Sequence, residues 1–157
     1  MSKKNKTIVI VIFLLCIVAG AVYVAADVFN FGAPQHVLRG YSSCEEYFDP
    51  HGMQDYTDYC KYYYNSNKDE NFAKKYREVS EQDIDRLCEY FENFEQWMKT
   101  AERSFEYDFN TYQINVGDYY YIETKEGQQP GYGTYDHYSI YFYDIETHTL
   151  YYAHNNI

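Results

Sequence analysis

Hydrophobic and polar positions divide this chain into three stretches with different periods. The first, TIVIVIFLLCIVAGAVYVAA from Thr7 to Ala26, has no period at all. It runs 20 residues without a charge. At ~1.5 Å per residue, that is enough helix to cross a ~30 Å hydrocarbon core. The second stretch, from Ser43 to Lys99, repeats its apolar residues at helical spacing, and the third, from Asn115 onward, alternates as strands do.

Within the second stretch, Ser43-Cys44-Glu45-Glu46 has the spacing of a capping box and predicts a short helix, ended by the turn sequence Asp49-Pro50-His51-Gly52. Tyr56, Tyr59, Cys60 and Tyr63 stand at i, i+3, i+4 and i+7, which predicts a helix over Gln54–Tyr64. The clearest helix follows Ser80. Ser80 caps it, Asp83 stands at its third position, and Val79 with Ile84 forms a hydrophobic staple. It runs from about Glu81 to Lys99 with an apolar stripe of Ile84, Leu87, Cys88, Phe91, Phe94 and Met98. Asp85, Glu89 and Glu92 make its opposite face acidic.

Three strands follow. Tyr119–Thr124 is the first, His137–Asp144 the second, and the chain turns at Ile145–His148 to return along Thr149–His154. Lys125–Asp136, with Gly127, Pro130, Gly131 and Gly133, reads as a loop. Setting Ile140 and Phe142 opposite Tyr152 and Leu150 places Tyr141, Tyr143 and Tyr151 on the other face. The Glu81–Lys99 helix then docks on the Ile140/Phe142 face. The fold class this predicts is α+β: a single N-terminal transmembrane helix, then a small extracytoplasmic domain of two or three helices packed on a C-terminal antiparallel β-meander.

Charge orients the molecule. Lys3, Lys4 and Lys6 precede the apolar run and Asp27 follows it, so residues 1–6 read as a cytoplasmic tail, 7–26 as the span, 27–40 as a linker and 41–157 as the outer domain. The expected location is the cell membrane, single-pass, with lipid contacted through Thr7–Ala26. The competing reading is a signal peptide cut after Ala26 and a secreted product, since Val24-Ala25-Ala26 has the small residues of a cleavage site. Whole-chain net charge is −11; beyond the tail, 10 basic residues face 24 acidic ones, or −14. Such a surface repels nucleic acid and suits cationic partners.

Composition adds one outlier, 22 tyrosines beside a single tryptophan. Tyrosine fills cores with its ring and contacts partners with its hydroxyl. Tyr119, Tyr121, Tyr141, Tyr143 and Tyr151 are the candidate binding residues, as one aromatic sheet face for an envelope protein, a peptide or a glycan. The alternative is that the Gln54–Tyr64 helix covers this face as a second core layer.

Catalytic and metal chemistry find no motif. His137 and His154 fall on opposite faces in the register above, His36 lies in the linker, and no HExxH, paired CxxC or D-x-D-x-D-G loop occurs. No G-x-S-x-G is present, and Cys44, beside Glu45, Glu46 and Asp49, lacks the positive surroundings a thiolate needs. Gly131-Tyr132-Gly133 precedes no helix that could hold a phosphate. Cys44, Cys60 and Cys88 are an odd set, against a disulfide framework. We therefore expect no cofactor, no metal and no enzyme, but a binding or regulatory module. The alternatives are a released effector or small carboxylate-based hydrolase, and an immunity-type protein against a basic toxin.

Overall fold

A computed structural model describes residues 33–48, 56–65, 68–124 and 135–156. Thr7–Ala26 and the Gly131–Gly133 loop lie outside the described residues; among those described, no helix is long and apolar enough to cross a membrane. Contacts divide the chain into residues 1–35 and 36–157, and the second unit is an α+β fold. Its elements are β1 (Ser43–Tyr47), β2 (Tyr56–Tyr63), α1 (Asp69–Ala73), β3 (Arg77–Glu78), α2 (Glu81–Thr100), β4 (Tyr119–Thr124), β5 (His137–Asp144) and β6 (Thr149–Asn156). The strands form one antiparallel sheet in the order β1-β2-β6-β5-β4-β3.

The α2 helix forms as its caps predict. Ser80 and Asp83 close a capping box, and the Ser80 backbone N–H donates to the Asp83 carboxylate at 3.1 Å. At the other end Arg103 N–H reaches the Met98 carbonyl at 2.8 Å and Glu102 N–H the Lys99 carbonyl at 3.1 Å. That is a Schellman closure with Glu102 left-handed at φ 57°. The buried stripe of Leu87, Phe91, Phe94 and Met98 packs on Tyr138, Ile140 and Phe142 of β5.

Two predicted helices are strands. Ser43–Tyr47 pairs with Tyr56–Tyr63, so the Ser43/Glu46 pattern caps nothing. In β2 the residues that would form one helical face divide between the two strand faces, Tyr59 and Tyr63 on one and Cys60 on the other. The strand lies between β1 and β6 and is buried from Thr57 to Tyr62 on both faces, which erases the alternation that marks a half-exposed strand. Arg103 ties this edge to the end of α2: its guanidinium donates to the Thr57 and Tyr47 carbonyls at 2.6 and 2.9 Å and pairs with Glu106 at 2.6 Å.

The β5–β6 register differs by one residue from the expected one. Ile140 opposes Ala153 and Phe142 opposes Tyr151, across a loop of Ile145–His148 with His148 at φ 53°. The Asp144 carboxylate accepts from the Glu146 and Thr147 N–H groups at 2.8 and 3.1 Å and holds that loop. A slip of one residue moves every β6 side chain to the other face. Tyr151 therefore lies under α2, and Leu150, Tyr152 and His154 lie on the far face.

That far face is covered, not by a helix over residues 54–64 but by α1, residues 36–40 and Tyr64 just past the end of β2. Phe72 of α1 stacks on Tyr143 with centroids 3.7 Å apart, and Tyr76 and Tyr64 pack around it. Residues 36–40, read as linker, belong to this unit. The Leu38 carbonyl accepts from Tyr64 Oη at 2.7 Å, the His36 carbonyl from Tyr76 Oη at 2.9 Å, and the His36 ring lies 4.3 Å from that of Tyr121.

Candidate functional site

The five candidate tyrosines do not make one surface. Tyr143 and Tyr141 are 0% and 2% exposed beneath α1 and residues 36–40, and Tyr151 is buried under α2. Tyr119 and Tyr121 are half-buried on the far face of β4. Burial pushes the Tyr141 and Tyr143 hydroxyls up, Tyr143 to about 12. The tyrosine excess is spent mainly on a core of edge-to-face and stacked rings, the substitution for leucine that a ring with a satisfied hydroxyl permits.

The corrected register brings together residues the sequence reading had separated. His137 and His154 share the far face. Glu123, Ser139 and His154 form one row across β4, β5 and β6. They line a hollow of ≈ 310 Å³ with Thr124, His137, Tyr138 and Asn156. Ser139 Oγ lies 2.8 Å from His154 Nδ1, His137 Nδ1 2.6 Å from Asn156 Oδ1, and Glu123 3.7 Å from His36 Nε2. Burial depresses the His154 pKa, and a hydrogen bond to the Tyr138 carbonyl and the Glu123 charge oppose this only in part, which favours the neutral ring. Among the described residues no three His, Cys, Asp or Glu side chains converge as metal ligands. Chemically this hollow is a hydrogen-bonding site. A serine nucleophile would also need N–H donors aimed at a developing oxyanion, and the Ser139 backbone lies within the β5 ladder.

A second hollow, of ≈ 320 Å³, opens between α2 and the segment that follows it. Phe91, Glu92, Glu95, Tyr107, Asp108, Phe109, Asn110 and Thr111 line it. Lys61, reaching from β2, pairs with Asp108 and Glu45, both at 2.7 Å, and Tyr59 Oη donates to Asp108 at 2.8 Å. Burial alone would raise the Asp108 pKa; the bonds from Lys61 and Tyr59 outweigh it and keep the carboxyl below its usual range. The segment bordering this hollow carries the most exposed large rings of the described residues. Phe105, two positions before Tyr107, is 82% exposed, and Tyr112, next to Thr111, is 91% exposed. Each sits on a short 3₁₀ turn, Ser104–Glu106 or Thr111–Gln113. The sequence reading passed over both, because a lone aromatic between elements has no period to betray its exposure.

The described cysteines are unpaired thiols: Cys44 exposed, Cys88 half-buried, Cys60 buried with its pKa pushed to about 12 by burial. No protein-family model, curated protein or solved structure matches the chain.

Proposed function

We propose that this chain is a membrane-anchored, non-enzymatic binding module, held outside the membrane by Thr7–Ala26, that docks a basic segment of an envelope partner. The observation that carries the reading is the pair Phe105 and Tyr112. Two large rings stand in water beside an acidic hollow, on a domain that buries most of its other rings. Exposed aromatics flanked by charge are the usual anchors of protein interfaces. Glu92 carries no ion pair among the described residues, whereas Glu95 and Asp108 are paired with Lys99 and Lys61; Glu92 and the surplus of −14 beyond the tail supply a field that steers a cationic partner. An immunity-type role against a basic toxin is one form of this activity.

The test is photo-crosslinking from position 112 of the full chain in native membranes, with position 82 on the exposed start of α2 as control. The reading expects one adduct from position 112 and none from 82. That adduct is lost in Glu92→Gln/Glu95→Gln and in about 1 M salt, where the Debye length is ~3 Å. Equal labelling from both positions, or none from 112, refutes it.

A further inference from the structure

The ten cations beyond the tail are not distributed evenly. Lys61, Arg77, Lys99 and Arg103 each bind a carboxylate, and Arg86 lies over the Tyr90 ring. Arg39, which has a partner of its own, and Lys68, Lys74 and Lys75 line a single hollow of ≈ 190 Å³ with Leu38 and Asn71. Lys68, Lys74 and Lys75 form no ion pair among the described residues. Asp69, in the same turn of chain, hydrogen-bonds the Tyr143 hydroxyl, and Glu70 does not line the hollow. In a chain with 24 acidic residues, three lysines in one place without a carboxylate partner are a local reversal of charge. The Debye length is ~8 Å at physiological salt, so a ligand at the hollow responds to these lysines more than to the distant net charge.

The position of the hollow selects the ligand. Leu38 and Arg39 form part of its wall, and they follow the anchor closely. Residues 27–35 alone separate Ala26 from His36, a reach of at most about 36 Å when fully extended. In the anchored reading a basic hollow whose wall includes Leu38 and Arg39 is within reach of phosphate-bearing headgroups. We infer that Arg39, Lys68, Lys74 and Lys75 form a docking site for the anionic headgroups of the membrane that holds the anchor. The inference rests on the anchored reading of Thr7–Ala26. Each lysine near an anionic surface contributes roughly fivefold, so three shift the docked-to-undocked ratio by on the order of a hundredfold.

Amine acylation of the full chain in lipid nanodiscs tests this, with rates read per lysine by mass spectrometry. One set of discs is phosphatidylcholine alone and the other contains phosphatidylglycerol. Lys68, Lys74 and Lys75 are expected to react more slowly in the anionic discs, with Lys99 on α2 unchanged as the internal control. High salt removes the difference, and Lys74→Gln/Lys75→Gln reduces the protection of Lys68. Equal rates in both discs, or protection of Lys99 to the same extent, overturn the inference while the anchor stands. Protection by inorganic phosphate in phosphatidylcholine discs equal to that in anionic ones makes this a small-anion site and overturns the membrane assignment. A chain that fails to co-elute with the discs overturns the anchor and the inference together.

Discussion

Truncating Tyr143 to alanine is expected to remove a large part of the domain's stability, although no sequence pattern distinguishes this tyrosine from an exposed one. The ring is wholly buried, stacked 3.7 Å from Phe72 and edge-on to Tyr64 at 6.0 Å. Deleting a buried aromatic ring costs about 3–5 kcal/mol, the lost transfer energy plus the cavity left behind. A domain of this size has about 5–15 kcal/mol in total. Tyr143→Phe keeps the ring and loses only the hydroxyl's bonds, about 1 kcal/mol. Tyr112→Ala, at a ring 91% exposed, changes stability by less than ~0.5 kcal/mol. Pairing Tyr143→Ala with Phe72→Ala in a double-mutant cycle returns ~0.5–1.5 kcal/mol of coupling for the stacked pair. The assay is urea unfolding of the full chain in micelles, followed by near-ultraviolet circular dichroism. If Tyr143→Ala unfolds at the same urea concentration as Tyr112→Ala, the far face is open and the assignment of the tyrosines to a core is wrong.

Three further outcomes follow from the same geometry. The Asp83 carboxyl lies below its usual pKa through bonds from the Ser80 hydroxyl, Tyr120 and the Ser80 N–H, with Arg77 adding its charge. A depressed folded pKa gives stability above the unfolded value of ~3.9 that is lost as pH falls through the folded one. Asp83→Asn should therefore be destabilised at pH 7, and its deficit should shrink below about pH 4; a deficit constant with pH refutes the linkage. Maleimide should label Cys44 first and Cys60 only on unfolding, which mass spectrometry of partly labelled chains checks directly. A fluorophosphonate probe should leave Ser139 unmodified; an adduct there would turn the Ser139/His154 contact into a nucleophile and base and refute the non-enzymatic reading.

The parts of the fold legible in the sequence are those where local signals agree. In α2 the Ser80/Asp83 cap, the apolar stripe and the terminal charges all specify one helix, and β4, β5 and β6 are marked by their runs of β-branched and aromatic residues bounded by turns. β2 was illegible for a physical reason. Its buried residues include Thr57, Asp58 and Lys61 as well as tyrosine and cysteine, so polarity does not alternate along it, and its pairing with β1 and β6 is what makes it a strand. The histidine hollow was hidden by a single residue of register, which the left-handed His148 and the Asp144-held loop fix and no alternation pattern could. Exposure of Phe105 and Tyr112 depends on packing around two 3₁₀ turns, which leaves no trace in the pattern of neighbours.

The partners the domain can meet depend on which side of the membrane it occupies and whether it stays attached. The direct measurement is the intact mass and N-terminal sequence of the protein recovered from washed membranes and from the medium. An anchored module gives a membrane-bound species that retains Thr7–Ala26. A soluble species in the medium beginning at Asp27 would contradict it and make the apolar run a cleaved signal.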